Sequence, residues 1–368
     1  MSGSNAGRGE GRFRMGRMPN PKLAAGRPSP AKGEWGRLQG DLSMNIRRLA
    51  IRVPAAVLLA ALICSASLLA AEPAWPPPPY PEAEKQKIWE VAPEKAAAAP
   101  RKARKVLVFW RTPGFKHTVI PCTNAAIEVL GQKTKAWETV LSDDPAMFEA
   151  DKLAEFDAVI MNSTCGKNVK VDGKELVREI FIAPEIEKMT PDEQKALLEK
   201  DARWKRNFEA FVRSGKGLVG FHGATGAFFS WPPYGEMLGA LFKTHPKPQQ
   251  ATIRLDDPAH PLLSAFGGRN FEMKEEVYVV DKPYSRETLR VLLTLGNTEM
   301  MDKTPRPDRD YALAWIKTYG EGRVFYCAFS HFDENFRNPA LLKFYLDGIQ
   351  YALGDLDVDA TPSARKAK

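Results

Sequence analysis

Three of the five histidines lie just beyond apolar segments that are typical of buried β-strands. The pairs are His117 after Lys105–Trp110, His222 after Gly217–Phe221, and His331 after Gly322–Phe329. In a parallel sheet the carboxyl ends of the strands share one edge, and ligands bind at that edge. We therefore expect the three imidazoles to converge on one site, with His245 in a loop that folds over the same edge.

His222 lies between glycines in the segment Gly217–Thr225 (GLVGFHGAT), a pattern that predicts a strand followed by a tight turn. The order Gly-Phe-His-Gly has the layout of a nucleophile elbow, whose central side chain is presented at the turn. A histidine there can bind a metal or move a proton, but it is a poor acyl carrier. The alternative is a structural histidine that only forms hydrogen bonds.

Five motifs occur in an order that resembles the ThuA-like (trehalose utilisation) family. They are Gly114–His117 (GFKH), Gly217–Ala224 (GLVGFHGA), Asp257–Pro261 (DPAHP), Glu275–Tyr278 (EEVY), and Trp315–His331, which contains YGEGRVFY. The resemblance covers about residues 104–354 and implies a flavodoxin-like core, similar to class I glutamine amidotransferases but with histidine in place of their cysteine nucleophile. Two features depart from the pattern: Ser330 stands where glycine is common, and Asn162–Gly166 lacks the histidines that some relatives carry.

Glu275 and Glu276 are the candidate carboxylates, and because they are adjacent in the predicted strand Phe271–Val280 they face opposite sides. Glu275 shares its face with apolar residues, where a charge is costly unless it is paired or binds a metal. We therefore predict Glu275 as a metal ligand. The position of the Glu-Tyr pair in the ThuA-like pattern favours Glu276 equally, as a catalytic carboxylate, and both alternatives stay open.

Three histidines and one carboxylate suit Zn²⁺, Mn²⁺ or Fe²⁺ with one coordination position open to water. The expected ligands of such a divalent metal are His117, His222, His331 and Glu275. No nucleotide cofactor is expected. In the alternative chemistry, which uses no metal, His222 is a general base and His117 or His331 a general acid beside a sugar carbonyl.

The family resemblance implies a carbohydrate or an oxidised (3-keto) glycoside as ligand, processed by hydrolysis, elimination or isomerisation. The candidate substrate-binding residues are His245, Phe229, Trp231 and Tyr234, since aromatic rings can stack on a pyranose ring. The alternative class is a non-catalytic carbohydrate-binding or partner-docking module. A glutamine amidotransferase is excluded, because His222 replaces the required thiol nucleophile.

The positive charge of the chain is concentrated near its N-terminus. Residues 1–50 carry ten Lys or Arg and three Asp or Glu, which accounts for +7 of the formal net charge of +8. The remaining sequence is nearly balanced and has no basic stripe interleaved with aromatic residues. Nucleic-acid binding is therefore not expected.

Met44–Ala71 has the pattern of a secretory signal, with a cationic start, an apolar stretch, and small residues before Glu72. We expect an exported protein, periplasmic or extracellular, whose mature N-terminus lies near Glu72. No stable membrane span is expected after cleavage, and an uncleaved membrane anchor is the alternative. Residues 1–43 are predicted as a disordered extension or an unused upstream start.

Proline and alanine runs predict a linker over residues 72–103, followed by one domain over residues 104–354 and a flexible tail over residues 355–368. Strand and helix patterns alternate as far as His222, and closely spaced strand patterns follow from Ala251 onward. This order predicts an α/β fold, with a flavodoxin-like three-layer core around a parallel sheet and an added antiparallel β extension.

Overall fold

A computed structural model describes residues 75–182, 184–303 and 305–365. The chain divides into two compact units, and the first of them, Met1–Ala70, lies outside the described residues, as does the predicted secretory signal. Among the described residues, none of the helices is both long enough and apolar enough to cross a membrane.

The described part of the chain contains α-helices and β-strands that mostly alternate in its first half. The helices are α1 (Glu82–Val91), α2 (Ile120–Thr134), α3 (Ala150–Leu153), α4 (Pro191–Arg213), α5 (Pro232–Leu238) and α6 (Pro339–Ala352). The strands are β1 (Lys105–Phe109), β2 (Glu138–Ser142), β3 (Ala158–Asn162), β4 (Lys167–Val171), β5 (Lys174–Glu179), β6 (Gly217–Phe221), β7 (Leu241–Thr244), β8 (Gln249–Leu255), β9 (Phe271–Glu275), β10 (Val279–Asp281), β11 (Arg290–Leu295), β12 (Ala312–Tyr319) and β13 (Gly322–Cys327).

A nine-stranded sheet forms the centre of the second unit, in the order β2-β1-β3-β6-β13-β12-β11-β8-β9. The first five strands of this order are parallel, and they follow the 2-1-3-4-5 arrangement of flavodoxin-like folds. From β12 onward each strand pairs antiparallel with its neighbour. The predicted α/β fold, a parallel core with an antiparallel extension, is confirmed.

Helices cover both faces of the sheet. In β6, Gly217 lies against the backbone of Ala352 in α6, and Gly220 lies against the side chain of Leu238 in α5. Because residues three apart in a strand face opposite sides, α5 and α6 lie on opposite faces of the sheet. At both glycines the helix approaches so closely that a Cβ atom would clash. The core therefore has three layers, as predicted.

The parallel strands around the site end at the same level. Asn162 of β3 and Cys327 of β13 both pair in register with Phe221 of β6, at the last residue of each strand. The loops that leave these strands therefore start from one edge of the sheet. The loops after β1, β6 and β13 carry His117, His222 and His331.

The segment predicted as a linker over residues 72–103 is packed on the domain in its described part. Helix α1 buries Ile88 completely, and Ile88 belongs to the main hydrophobic core. The backbone N–H groups of Ala97 and Ala98 donate to Oε1 of Gln350 in α6, at 2.9 and 3.2 Å. Proline and alanine dominate this segment, but the buried isoleucine and these hydrogen bonds hold it on the domain. The linker prediction is therefore wrong for the described part.

The tail predicted over residues 355–368 is also packed in its described part. Asp355 is buried and accepts a hydrogen bond from Nε of Arg104 at 3.1 Å. The backbone N–H of Ser363 donates to the carbonyl oxygen of Leu289 at 2.9 Å. These contacts fix the tail to the domain, so the prediction of a flexible tail is wrong for this part.

Strands β4 and β5 form a separate antiparallel hairpin between β3 and α4. Val169 and Val171 of the hairpin pack with Ile182 and Ile186 in a small hydrophobic cluster apart from the main core. Backbone hydrogen bonds from Gly166 to Gly226 and from Phe228 to Arg178 hold the hairpin at the loop after β6. Arg178 thereby lies next to the histidine loops.

Candidate active site

The turn after β6 places His222 at the sheet edge. His222 has a φ of +42°, a left-handed conformation that is uncommon for residues other than glycine and that often marks functional turns. At Gly223 a Cβ atom would stand 2.9 Å from Sγ of Cys165 and 3.1 Å from Cε1 of His117. Glycine is therefore required for this turn to pack against the loops after β1 and β3. The chain turns sharply at His222, as the sequence pattern predicts.

Four side chains bring their ligand atoms within 4.8 Å of one another: His117, His222, His331 and Glu276. Nε2 of His222 lies 3.1 Å from Nδ1 of His331. Oε2 of Glu276 lies 3.4 Å from Nε2 of His222 and 3.3 Å from Nδ1 of His331. The ring of His117 contacts that of His222 edge to face, with 4.8 Å between centroids. The structure thus brings the three strand-end histidines together.

Ala328 orients the His222 ring. Nδ1 of His222 lies 2.9 Å from the carbonyl oxygen of Ala328. A carbonyl oxygen can only accept, so Nδ1 donates and carries the proton, and Nε2 is left with a lone pair directed at His331 and Glu276. This arrangement is typical of histidines that bind a metal or accept a proton, because the backbone fixes both the ring and the tautomer.

Burial keeps the imidazoles neutral. It lowers the pKa of His222 to about 3, and the neighbouring His331 adds to the effect. The pKa of His117 lies well below its ordinary value, first through burial and then through His222 and His331. Burial also lowers the pKa of His331, although the carboxylate of Glu276 opposes that shift. Neutral imidazoles keep the lone pairs that bind metals or accept protons.

Glu276, not Glu275, supplies the carboxylate of the cluster. The chain leaves the sheet after Glu275, the last paired residue of β9, so Glu276 turns toward the histidines. Glu275 faces the core, where Nδ2 of Asn335 donates to its Oε2 at 2.6 Å. Burial raises the pKa of Glu275 to about 8, so its carboxyl is mostly neutral at pH 7. Of the two candidate carboxylates, the predicted ligand Glu275 therefore lies outside the cluster, and hydrogen bonding satisfies its buried carboxyl there.

A pocket of about 250 Å³ opens onto the cluster and is lined in part by His117 and Glu276. Two more of its lining groups contact His117: Sγ of Cys165 lies 3.9 Å from Nδ1, and the hydroxyl of Tyr278 lies 3.4 Å from Nε2. Burial raises the pKa of Cys165 to about 12, so the thiol stays protonated. Neither residue was predicted as a site residue, although the EEVY motif that contains Tyr278 is a sequence signal for it.

His245 lies at the pocket, on the outer side of Glu276. Its Nδ1 lies 3.2 Å from Oε1 of Glu276, and its side chain is 39% exposed. Glu276 therefore faces His222 and His331 with one oxygen and His245 with the other. The structure places His245 where the sequence predicts it, in a loop over the same edge.

The aromatic residues predicted to bind a sugar do not line the pocket. Tyr234 is fully buried and donates its hydroxyl to the carbonyl oxygen of Ala224 at 2.8 Å. Trp231 packs against Phe228, with 5.4 Å between ring centroids. Phe229 contacts the guanidinium of Arg178 instead. Trp231 and Tyr234 both pack on Phe228. The structure therefore does not place the three predicted rings on the wall of this pocket. The aromatic lining residues are Phe115, Phe242 and Tyr278.

The family of the chain follows from comparison with known proteins. The sequence profile of the ThuA family, described as trehalose utilisation, matches residues 105–181 and 192–352. The chain therefore belongs to the ThuA family. None of the curated proteins compared matches the chain.

Solved structures that are similar to this chain include two ThuA-like proteins. A ThuA-like protein from Bacteroides uniformis ATCC 8492 is 19% identical, with a TM-score of 0.49, over 74% of this chain and 99% of that one. A ThuA-like protein from Parabacteroides merdae ATCC 43184 is 13% identical, with a TM-score of 0.48, over 72% of this chain and 96% of that one.

Proposed function

We propose that this ThuA-family chain is a carbohydrate-active enzyme. Its substrate is a glycoside or an oxidised (3-keto) glycoside, processed by hydrolysis, elimination or isomerisation at the histidine and glutamate cluster. The observation that carries the proposal is that cluster: three neutral imidazoles and one carboxylate lie within 4.8 Å of one another beside a pocket. Such a concentration of titratable groups with shifted pKa values, at the carboxyl edge of a parallel sheet, favours a catalytic role over a purely structural one.

The cluster fits a divalent metal such as Zn²⁺, Mn²⁺ or Fe²⁺. In a tetrahedral site with bonds of about 2.0–2.1 Å, the ligand atoms lie about 3.3 Å apart. Nε2 of His222, Nδ1 of His331 and Oε2 of Glu276 are separated by 3.1, 3.3 and 3.4 Å. With His117 they form a set of nitrogen and oxygen donors suited to these metals. When bound, such an ion acts as a Lewis acid and lowers the pKa of a bound water.

The protein groups around the cluster have complementary roles in moving protons. Glu276 faces the pocket, with its Oε1 3.2 Å from Nδ1 of His245, and it accepts a proton from the substrate side. Tyr278 has a pKa well above its ordinary value because of burial, so it keeps its proton and donates a hydrogen bond to a substrate oxygen. Without a metal, the lone pair on Nε2 of His222 serves as the general base.

Elemental analysis and a substrate screen test this proposal on the purified wild-type protein, prepared without a polyhistidine tag. We expect about one Zn, Mn or Fe ion per chain, and turnover of at least one ordinary or 3-keto disaccharide that chelation abolishes and the same metal restores. Full activity in a metal-free protein would contradict the metal centre. Sugar binding without any turnover would favour the non-catalytic module.

Export is a further part of the proposal, and it is supported by the signal pattern of Met44–Ala71. We expect the mature protein to begin near Glu72 and to be recovered outside the cytoplasm. Intact-mass measurement of the protein from its own cells checks this expectation. A cytoplasmic protein that retains Arg47 and Arg48 would contradict it.

A further inference from the structure

A second cavity adjoins the pocket of the proposed active site. It has a volume of about 510 Å³, and Phe115 and Arg178 line both spaces. Its lining includes three cationic side chains, Lys116, Lys167 and Arg178. The same lining contains no Asp or Glu among the residues that the structure describes. We refer to these three cations and their cavity as the cationic subsite.

The backbone of Arg178 is held in place from several sides. Arg178 has a φ of +58°, and its carbonyl oxygen accepts the backbone N–H of Phe228 at 2.6 Å. Its own N–H donates to Oδ1 of Asn168 at 3.1 Å. Gly166 lies against the Arg178 carbonyl so closely that any Cβ atom would overlap it. A left-handed backbone costs free energy, and it persists here because these contacts specify it.

Aromatic rings support the guanidinium of Arg178. It lies 5.7 Å from the ring centroid of Phe229 and 5.8 Å from that of Phe242. Contacts of this kind restrict the side chain, so less conformational entropy is lost when the guanidinium binds a ligand. The guanidinium is thus preorganised for ligand binding.

The cations of the subsite have no carboxylate partners within the described ranges. Neither Arg178 nor Lys116 or Lys167 forms an ion pair there, whereas most other partly buried arginines do. A positioned guanidinium beside a pocket, without an ion-pair partner, is suited to bidentate binding of a carboxylate or a phosphate. The positive field of the two lysines adds to the attraction for an anion.

We propose that the cationic subsite binds the anionic group of an acidic carbohydrate, whose sugar ring lies in the adjoining pocket of the histidine and glutamate cluster. The proposal rests on the proposed function, because it names the substrate class of the same site. Phe115 lies on the wall shared by both spaces and is 63% exposed, with its ring 4.7 Å from that of His117. It therefore offers an apolar surface between the anion and the reacting centre.

Binding measurements by isothermal titration calorimetry test this inference without requiring turnover. The probes are D-glucuronate, D-glucose 6-phosphate and D-glucose, each added to wild-type protein. We expect at least one of the two acidic sugars to bind more tightly than D-glucose, and the tighter acid identifies carboxylate or phosphate as the natural anion. Added salt should weaken binding of the acid and leave binding of D-glucose unchanged.

The Arg178→Gln variant removes the charge and keeps a polar side chain, although a shorter one. We expect it to weaken binding of the preferred acid by about 10- to 100-fold, because charge-assisted hydrogen bonds are lost. Binding of D-glucose should change much less, because Arg178 lines its pocket but a neutral sugar offers no anion to the guanidinium. Arg178→Lys, which keeps the charge but not the planar fork, should fall between Arg178→Gln and wild type. Lys174→Gln is the matched control, since Lys174 is exposed on the same hairpin and lines neither cavity.

The outcomes separate this inference from the proposed function. Acid binding that depends on Arg178 supports the cationic subsite even if no sugar is turned over. Equal binding of acidic and neutral sugars, failure of both acids to bind, or an Arg178→Gln variant that binds the acid as wild type does would overturn it. If the protein turned over only neutral glycosides and Arg178→Gln bound the acid as wild type does, the proposed function would stand and the subsite would be refuted.

Discussion

Replacement of His222 by asparagine is expected to lower kcat/KM by about 10²–10⁴-fold while the chain stays folded. Asparagine is the most informative substitution for two structural reasons. Its amide N–H can replace Nδ1 as donor to the carbonyl of Ala328, and asparagine tolerates the left-handed backbone found at His222. Only Nε2, the atom that faces His331 and Glu276, is then lost. Steady-state kinetics measure the fall in kcat/KM, metal analysis measures the expected loss of bound metal, and thermal unfolding checks that the fold is retained.

Two other substitutions of His222 give a contrast. His222→Ala also leaves the buried carbonyl of Ala328 without its donor, so it should lower stability by about 1–3 kcal/mol in addition to abolishing turnover. His222→Gln loses metal ligation and proton transfer, so added Zn²⁺ or Mn²⁺ should not restore activity. Wild-type turnover by a well-folded, metal-free His222→Asn variant would show that the histidine cluster is structural.

His260 offers a matched control for the loss of a buried histidine. It is 3% exposed. Its Nδ1 accepts a hydrogen bond from the backbone N–H of Leu262, and its Nε2 donates one to the carbonyl oxygen of Asp359. None of these contacts involves the candidate site. His260→Asn is therefore expected to change stability without changing kcat/KM.

The sheet and the converging histidines are predictable from sequence because both depend on local patterns. Apolar runs bounded by glycine predict the parallel strands, and a histidine that follows such a run must lie at the carboxyl edge whatever the strand order. Equal strand ends then complete the arrangement: Asn162 and Cys327 are in register with Phe221. Little tertiary information was needed for His117, His222 and His331 to be placed together.

The choice between Glu275 and Glu276 depends on tertiary pairing. Side-chain alternation holds only while a strand stays paired, and β9 loses its partner after the pair formed by Gln249 and Glu275. The sequence pattern predicts a strand that continues to Val280, and it therefore places Glu276 on the opposite face from Glu275. In the folded chain the strand ends at Glu275, so this alternation does not apply to Glu276. Burial also neutralises Glu275, an alternative to metal binding that residue types alone do not reveal.

The cationic subsite and the docked N-terminal segment are invisible to sequence patterns for a related reason. Lys116 comes from the loop after β1, and Lys167 and Arg178 come from the β4–β5 hairpin. Their proximity arises only when the hairpin folds beside the sheet edge. The segment with α1 carries few apolar residues, and the burial of Ile88 shows only in the assembled core.

Glu276→Gln is expected to have the second large effect on metal binding and kcat/KM. Glu275→Gln, at the adjacent residue, is its control. Glu276→Gln removes the charge that faces His222 and His331, and an amide is a weaker metal ligand and no general base. We expect loss of bound metal and a fall in kcat/KM of about 10²–10⁴-fold, with the fold retained. Elemental analysis measures the first effect and kinetics the second.

Glu275→Gln is expected to leave metal content and kcat/KM close to wild type. The carboxyl of Glu275 is already mostly neutral at pH 7, so glutamine matches its charge and shape, and the amide of Asn335 can rotate to accept from the new NH₂ group. Any effect should therefore appear in thermal unfolding and not in turnover. If Glu275→Gln lost metal and activity while Glu276→Gln kept both, the cluster would be wrongly assigned. Glu275 would then be the functional carboxylate. A buried charge is costly, and binding of a metal ion would offset that cost.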